Sequence, residues 1–434
     1  MSTIYDFIFL LFSIIYLPYL IARRKWHSKF RTRFGIFSEK FKDAISSQDN
    51  IWIHAVSVGE VLAIVNLIRL IKQKYPNHRV VLSTVTKTGY AVAVSQIKQA
   101  DQIIFAPLDF SWIVKRYIRQ LRPKIYIVTE TEIWPNLFLR LNKERIPIIV
   151  INGRISPKSF RGYSAFKFLI KPALDCVAVF CMQSHRDAES LRGLGVGNKK
   201  ITVTGNMKFD EVPEEIPLNT PWLSISPGNL LWIAGSTHPG EEAIVLKILK
   251  NLSSEFQHLR LLIAPRHIER SKEVLELIKH YGMTPITLSK IQNTRPIQHD
   301  EVILVDTIGQ LRSFYALSKI VFLGKSLTMK GGHNIIEPAF FGNTVLVGPH
   351  MDNFHDILDI FLQNQAVIQI QNEIELESKM IDLLRHPENL VHIGQSAKKV
   401  VLNQGGATER ILSFIGQILK NDIITRPAHE KNDL

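Results

Sequence analysis

Cysteine is scarce: Cys176 and Cys181 are the only two in 434 residues. Two thiols build neither a disulfide framework nor a structural zinc site. Both fall in "CVAVFC", which reads as a buried strand, and a separation of five puts them on opposite faces of it. Small core residues in a reducing compartment are the expected role. No Asp-x-Asp occurs, so a metal-dependent sugar-nucleotide site has no support. The G-x-G-x-x-G fingerprint and the Walker lysine loop are also missing, which weakens dehydrogenase and ATPase readings. Basic-aromatic runs suited to single-stranded nucleic acid are absent. Acidic residues are outnumbered, 39 against 53 basic, giving a net charge of +14 and a pI near 9.6. Such a balance favours anionic partners: nucleic acid, an anionic membrane face or phosphorylated substrates.

What is present is ample for two domains. The length exceeds that of one ordinary domain. A hydrophobic content of 46% with 21% charged residues can fill two cores. Residues 4–22, "IYDFIFLLFSIIYLPYLIA", carry a single charge, Asp6, and approach the length of a membrane span. "RRKWHSKFRTR" follows, the reverse of a cleaved secretory signal. An uncleaved anchor over 1–25 is expected, with the rest of the chain on the cytoplasmic side. Pro18 leaves open a helix lying in the interface instead of crossing.

Beyond the anchor, short apolar runs alternate with helical patterns. "IWIHA", "RVVLSTV", "QIIFAPL", "KIYIVTE" and "IPIIVING" predict buried strands of a parallel sheet covered on both faces. The pattern pauses over 211–228, a Pro-rich polar linker, then restarts with "LWIAGST", "LRLLIAPRH", "EVILVD", "KIVFLGKS" and "TVLVGPH". Domains over 26–210 and 229–434 follow, with a helical stretch at 394–420 able to pack back across the linker. The openings of the two halves share a strand, a small-residue loop, Gly-Glu and an amphipathic helix: "IWIHAVSVGEVLAIVNLI" and "LWIAGSTHPGEEAIVLKIL". Two Rossmann-like α/β domains are predicted, with ligands at the carboxyl ends of their strands, in an inter-domain cleft.

Several residues at such ends could carry chemistry. Glu60 sits where a strand hands over to a helix. It is either a carboxylate complementing the helix dipole or a general base held at a strand end. Glu130 and Glu132, in "VTETEIWPNL", share one face of an extended stretch and are either solvated or a catalytic partner. Arg266 and His267 end a strand, and a guanidinium suits phosphate or carboxylate. Thr307-Ile308-Gly309 reads as the start of a helix whose N–H groups could hold phosphate. In "KGGHNIIEPAFFGN" paired glycines lead to a short helix bearing His333, Asn334 and Glu337. Asn334 could simply cap it; alternatively the amides hold a phosphate and Glu337 a ribose diol.

Taken in order, "HAVSVGE", "ETEIWPN", "VTGNMKFD", "STHPGEE", "APRH" and "GGHNIIEP" resemble the 3-deoxy-D-manno-octulosonic acid (Kdo) transferases of bacterial lipopolysaccharide assembly. The resemblance spans essentially the whole chain. It implies a GT-B fold, CMP-Kdo as donor and a lipid A precursor as acceptor. It also implies inversion at the anomeric carbon, no metal or other cofactor, and attachment to the cytoplasmic face of the inner membrane. By the same resemblance Glu60 is the general base, and Glu130 and Lys208 stabilise the transition state. Arg266, His267, Thr307, Ile308, Gly309, Asn334, Ile335, Ile336 and Glu337 bind CMP. Pro338 stands where relatives carry Ala. A nucleic-acid partner is not expected.

Overall fold

The computed structural model describes residues 5–7, 9–11, 28–46, 49–211, 223–224, 228–291 and 295–425. It divides into two units, Met1–Glu211 with Gly405–Leu434, and Val212–Gln404.

The first unit is built on seven strands: β1 (Asn50–His54), β2 (Arg79–Thr84), β3 (Gln102–Phe105), β4 (Pro123–Thr129), β5 (Ile148–Gly153), β6 (Val179–Met182) and β7 (Ile201–Val203). They form one sheet in the order β3-β2-β1-β4-β5-β6-β7. All pairs are parallel, with Trp52 level with Val81 on one side and Tyr126 on the other. The unbroken apolar runs are explained by burial on both faces. Trp52, Tyr126 and Phe180 pack on one side of the sheet with Tyr117 and Phe138. Ile51, Ile53, Ile125 and Ile127 pack on the other with Ile68, Ile71 and, from the helix Ala407–Thr425, Ile411 and Ile415. Alternate residues of one strand thus feed two separate cores.

The second unit repeats the plan. A two-residue pair, β8 (Leu223–Ser224) with β12 (Arg295–Pro296), stands apart. The main sheet uses β9 (Leu230–Thr237), β10 (Leu259–Pro265), β11 (Thr284–Thr287), β13 (Glu301–Leu304), β14 (Ile320–Leu323), β15 (Thr344–Val347) and β16 (Ile368–Gln369). Its order is β11-β13-β10-β9-β14-β15-β16, again parallel throughout. Trp232, Leu261, Val302 and Phe322 anchor its core. In each sheet the chain fills one side of the first strand, then returns to fill the other; in the second, β11 takes the edge and β13 inserts between it and β10. The switch points are β1/β4 and β9/β14, where ligands of doubly wound sheets bind beyond the carboxyl ends.

Two expectations are corrected. Cys176 is not in a strand: the helix Lys167–Asp175 runs up to it and Cys176 caps its end, so only Cys181 lies in β6. Both thiols are free. The helical stretch 394–420 is two helices, Pro387–Gln404 and Ala407–Thr425, broken at Gly405-Gly406, where Gly406 takes φ +84°. The second of these belongs to the first unit. Most of the anchor expected over 1–25 lies outside the described residues. Among the described residues no helix is long and apolar enough to cross a membrane. The described part of that stretch rests on the first unit: the carboxylate of Asp6 accepts from Ser111 N (2.9 Å), Ser111 Oγ and Asn136 Nδ2 (2.7 Å). Phe9 meets the ring of Phe110 edge-on at 4.9 Å.

Candidate functional site

In the first unit three carboxylates gather at the β1/β4 switch point. Ser57 N-caps the helix Val58–Ala63, and Glu60 completes a capping box with it. The local sequence, Ser-x-x-Glu, dictates this turn. It folds the carboxylate back over the strand end, where Glu60 is only 6% exposed. Oε2 accepts from Val56 N at 2.8 Å and from the hydroxyl of Thr129, last residue of β4, at 2.7 Å. Among the described residues Oε1 accepts from Ser57 N alone, at 3.1 Å. One oxygen is therefore fully engaged and the other keeps lone-pair capacity.

Glu130 follows directly, with φ +54°, an uncommon left-handed value for this residue type. Its N–H is tied to Ile151 O at 2.9 Å, which fixes the turn. Burial and the charge of Glu60 raise its pKa, while Lys208 and Arg154 pull it down. Glu132 is pushed up to about 7 by burial, then by Glu60 and Glu130. Lys208 comes from the short helix Met207–Asp210, whose Met207 and Phe209 are buried. Asn152, at the end of β5, accepts from Met207 N at 3.0 Å and so seats that helix. The structure thus brings Glu60, Glu130 and Lys208 together, and adds Glu132, Thr129 and Arg154. A lysine just ahead of the linker looks solvated in sequence, and only the buried Met-x-Phe spacing around it hints otherwise. Thr129 was missed because a hydroxyl ending an apolar strand reads as a strand end.

The second unit uses the same device at its own switch point. Glu241, the partner of Glu60 in the half-to-half alignment, is fully buried. Oε2 accepts from His238 N and Lys325 N, and Oε1 from Ser326 N and Leu327 N, at 2.8–3.2 Å. It welds the turn after β9 to the turn after β14 and has no lone pair to spare. Around this weld stand Arg266 and His267 after β10, His238 after β9, and Lys325 and His333 after β14. His238 lies 5.7 Å, centroid to centroid, from both His267 and His333. Arg270, nearby, is held by Glu242 at 2.7 Å and by Glu273 at 2.8 Å.

Two expected helix starts are displaced. Thr307, Ile308 and Gly309 form a bend ahead of the five-residue helix Leu311–Tyr315, with Gly309 at φ +86° and Ile308 83% exposed. His333 and Asn334 likewise precede the helix Ile336–Phe340, and only Glu337 lies in it. Asn334 Oδ1 accepts from Ile336 N at 3.0 Å. The Gly-Gly pair consumes more residues in the turn than the pattern implied: Gly331 and Gly332 take φ +129° and +69°. The φ of +69° at Gly332 favours glycine, and a Cβ there would also stand 3.2 Å from Met351 Cα. Glu337, a candidate ribose ligand, is paired with Arg312 at 2.8 Å.

Residues 28–211 match a sequence family described as 3-deoxy-D-manno-octulosonic-acid transferase. The chain is similar to the 3-deoxy-D-manno-octulosonic acid transferase of Haemophilus influenzae, 32% identical over 92% of this chain and 93% of that protein. The Rickettsia felis protein of the same name is 31% identical over 87% of this chain and 81% of its own length. Two solved structures share the fold at 14% identity. A glycosyltransferase from Rickettsia africae (TM-score 0.55) covers 86% of this chain and 100% of that one. UDP-GlcNAc 2-epimerase from Neisseria meningitidis (TM-score 0.55) covers 85% and 100%. The two parallel-sheet units are thus those of GT-B glycosyltransferases and their kin. On sequence, over nearly its whole length, the chain belongs to the 3-deoxy-D-manno-octulosonic acid transferase family.

Proposed function

We propose that the protein moves Kdo from CMP-Kdo to a sugar hydroxyl of a lipid A precursor (lipid IVA), with inversion, in lipopolysaccharide assembly. The observation that carries this reading is the carboxylate of Glu60. It is buried at a switch point, with Oε2 saturated and Oε1 accepting one bond with lone-pair capacity left. Oε1 takes the proton of the attacking hydroxyl. The hydroxyl oxygen bonds to the anomeric carbon as the bond from that carbon to phosphate breaks, and the electron pair leaves with CMP. Lys208, balanced against Glu130, offsets developing negative charge in the first unit. Arg266, His267 and the segments 307–309 and 334–337 receive CMP in the second, with no metal or other cofactor called for. Glu132 is the second candidate base, since a carboxyl titrating near 7 matches the working pH.

Attachment to the cytoplasmic face of the inner membrane belongs to the same reading. Asp6 is bonded to Ser111 and Asn136 and so holds the start of the N-terminal stretch against the domain.

The test is transfer from in situ generated CMP-Kdo to a lipid A precursor, read by mass spectrometry. Wild type should add mass in whole Kdo steps, and Glu60→Gln, still folded, should lose at least about a hundredfold in rate. No transfer by wild type would reject the substrates. Normal transfer by the variant would leave Glu60 a capping residue and move the base to Glu132.

A further inference from the structure

The histidines beside Glu241 are unexplained by anything above. His238 is 7% exposed, yet among the described residues its buried Nε2 has no hydrogen-bond partner, and neither has Nε2 of His333. A buried polar atom left unpaired costs free energy and marks a place where a ligand atom belongs. Both rings stand at carboxyl ends of adjacent strands, β9 and β14, and stack at 24°. The loop carrying Lys325 is closed by Gly332 N donating to Lys325 O at 2.8 Å. A Cβ on Gly331 would lie 3.1 Å from Lys325 Cε, so the glycine backbone backs the lysine stem.

We propose that His238 and His333, with Lys325, form a receptor for a phosphate-class anion, and that filling it transfers a proton from solvent onto this imidazole pair. The site rests on the donor-binding reading above, because it supplies the anionic end of the nucleotide site. It goes beyond that reading in naming the two rings and the proton.

The groups facing the pair decide the charge state. Arg266 and His267 come from the turn after β10, and Lys325 from the turn after β14. Arg270 is neutralised by Glu242 and Glu273. Glu241 spends both oxygens on backbone N–H groups. Arg266 and Lys325 have no carboxylate partner among the described residues, so the empty receptor carries surplus positive charge. Burial comes first, and then Arg266, His238, Lys325 and His267 hold His333 down to about 4. Burial, then Lys325 and His267, lower His238 too, against the pull of Glu242. Both rings are therefore neutral near pH 7. An anion reverses the local field, and an opposite charge at hydrogen-bond distance raises an imidazole by about 1–3 units. The protonated ring then donates from Nε2. The one bond formed is the ring N–H, and the one broken is the bond that held this proton in hydronium or the buffer acid; no heavy-atom bond changes. Anion affinity should rise as pH falls through the loaded value, and level off near the empty one. Between the two, a one-proton linkage gives roughly a tenfold gain per pH unit.

The experiment is calorimetric titration of the full chain in pairs of buffers with different ionisation heats, from pH 5 to 8. Two probes are used whose own charge does not titrate there: the methyl ester of CMP, and sulfate. Wild type alone measures proton uptake. His333→Asn and His238→Asn then assign it. Net uptake approaching one proton near pH 5.5 to 6, reduced by either substitution, is the expected result. Binding of the CMP ester without proton uptake overturns the proposal while leaving the CMP donor intact. Proton-coupled sulfate binding with no affinity for the CMP ester upholds the proposal and rejects that donor. Failure of both probes to bind at millimolar concentration rejects both.

Discussion

At the residue scale, Glu132 is a half-buried carboxyl crowded by two other carboxylates, Glu60 and Glu130. Its ordinary value, 4.5, is raised to about 7 in the fold by burial and by Glu60 and Glu130. A carboxyl raised in the folded state favours folding fully below its unfolded pKa. That contribution is lost as pH climbs through the folded one. Stability should therefore decline between about pH 4.5 and 7 in wild type, and Glu132→Gln should flatten that decline. Urea midpoints at pH 5 and pH 8 check this: the variant should gain relative to wild type only at the higher pH. Equal changes at both would mean the carboxyl is solvated. The same crowding explains why sequence alone could not separate Glu130 from Glu132. They stand two apart on an extended stretch, but φ +54° at Glu130 turns the chain between them.

At the element scale, most strands were legible because a doubly covered parallel sheet demands unbroken Val/Ile/Leu runs, and β1, β4, β5, β9, β10 and β14 all have them. The short edge strands β7 (ITV) and β11 (TPIT) were not, since half-buried edges carry threonine and no run. Glycine-rich turns were the other blind spot: pattern placed Thr307 and His333 at helix starts that begin several residues later. Legibility also failed for long-range caps. The helix Ala407–Thr425 is capped by Asp210, nearly two hundred positions away, whose carboxylate accepts from Gly406 N and Thr408 N. Asp210→Ala should cost about 1–2 kcal/mol in the first unit. Amide exchange in 407–425 should speed up accordingly, while the strands of the second unit keep their protection. Unchanged exchange would show that packing of Ile411 and Ile415 alone holds the helix.

At the scale of the whole molecule, two features were read correctly from composition and repeat: two parallel α/β units, and a basic surplus of +14. The surplus carries a prediction. Binding to vesicles containing anionic lipid should weaken severalfold as salt rises from about 50 to 500 mM, because screening shortens the reach of surface charge. Binding to neutral vesicles should change little. Insensitivity to both lipid charge and salt would assign attachment to apolar contact alone. The covalent path through the two units has its own consequence. Val212–Gln404 is one uninterrupted segment, whereas the first unit is closed by a helix that comes after it. During synthesis the second unit can finish its core as soon as its last strand and helices emerge. The first, though begun earlier, must wait with the Ile51–Ile53 face of its sheet only partly covered, by Ile68 and Ile71, until the helix at 407–425 arrives. Translation order and completion order are thus reversed, and the domain that starts first is the one that a chaperone has longest to hold.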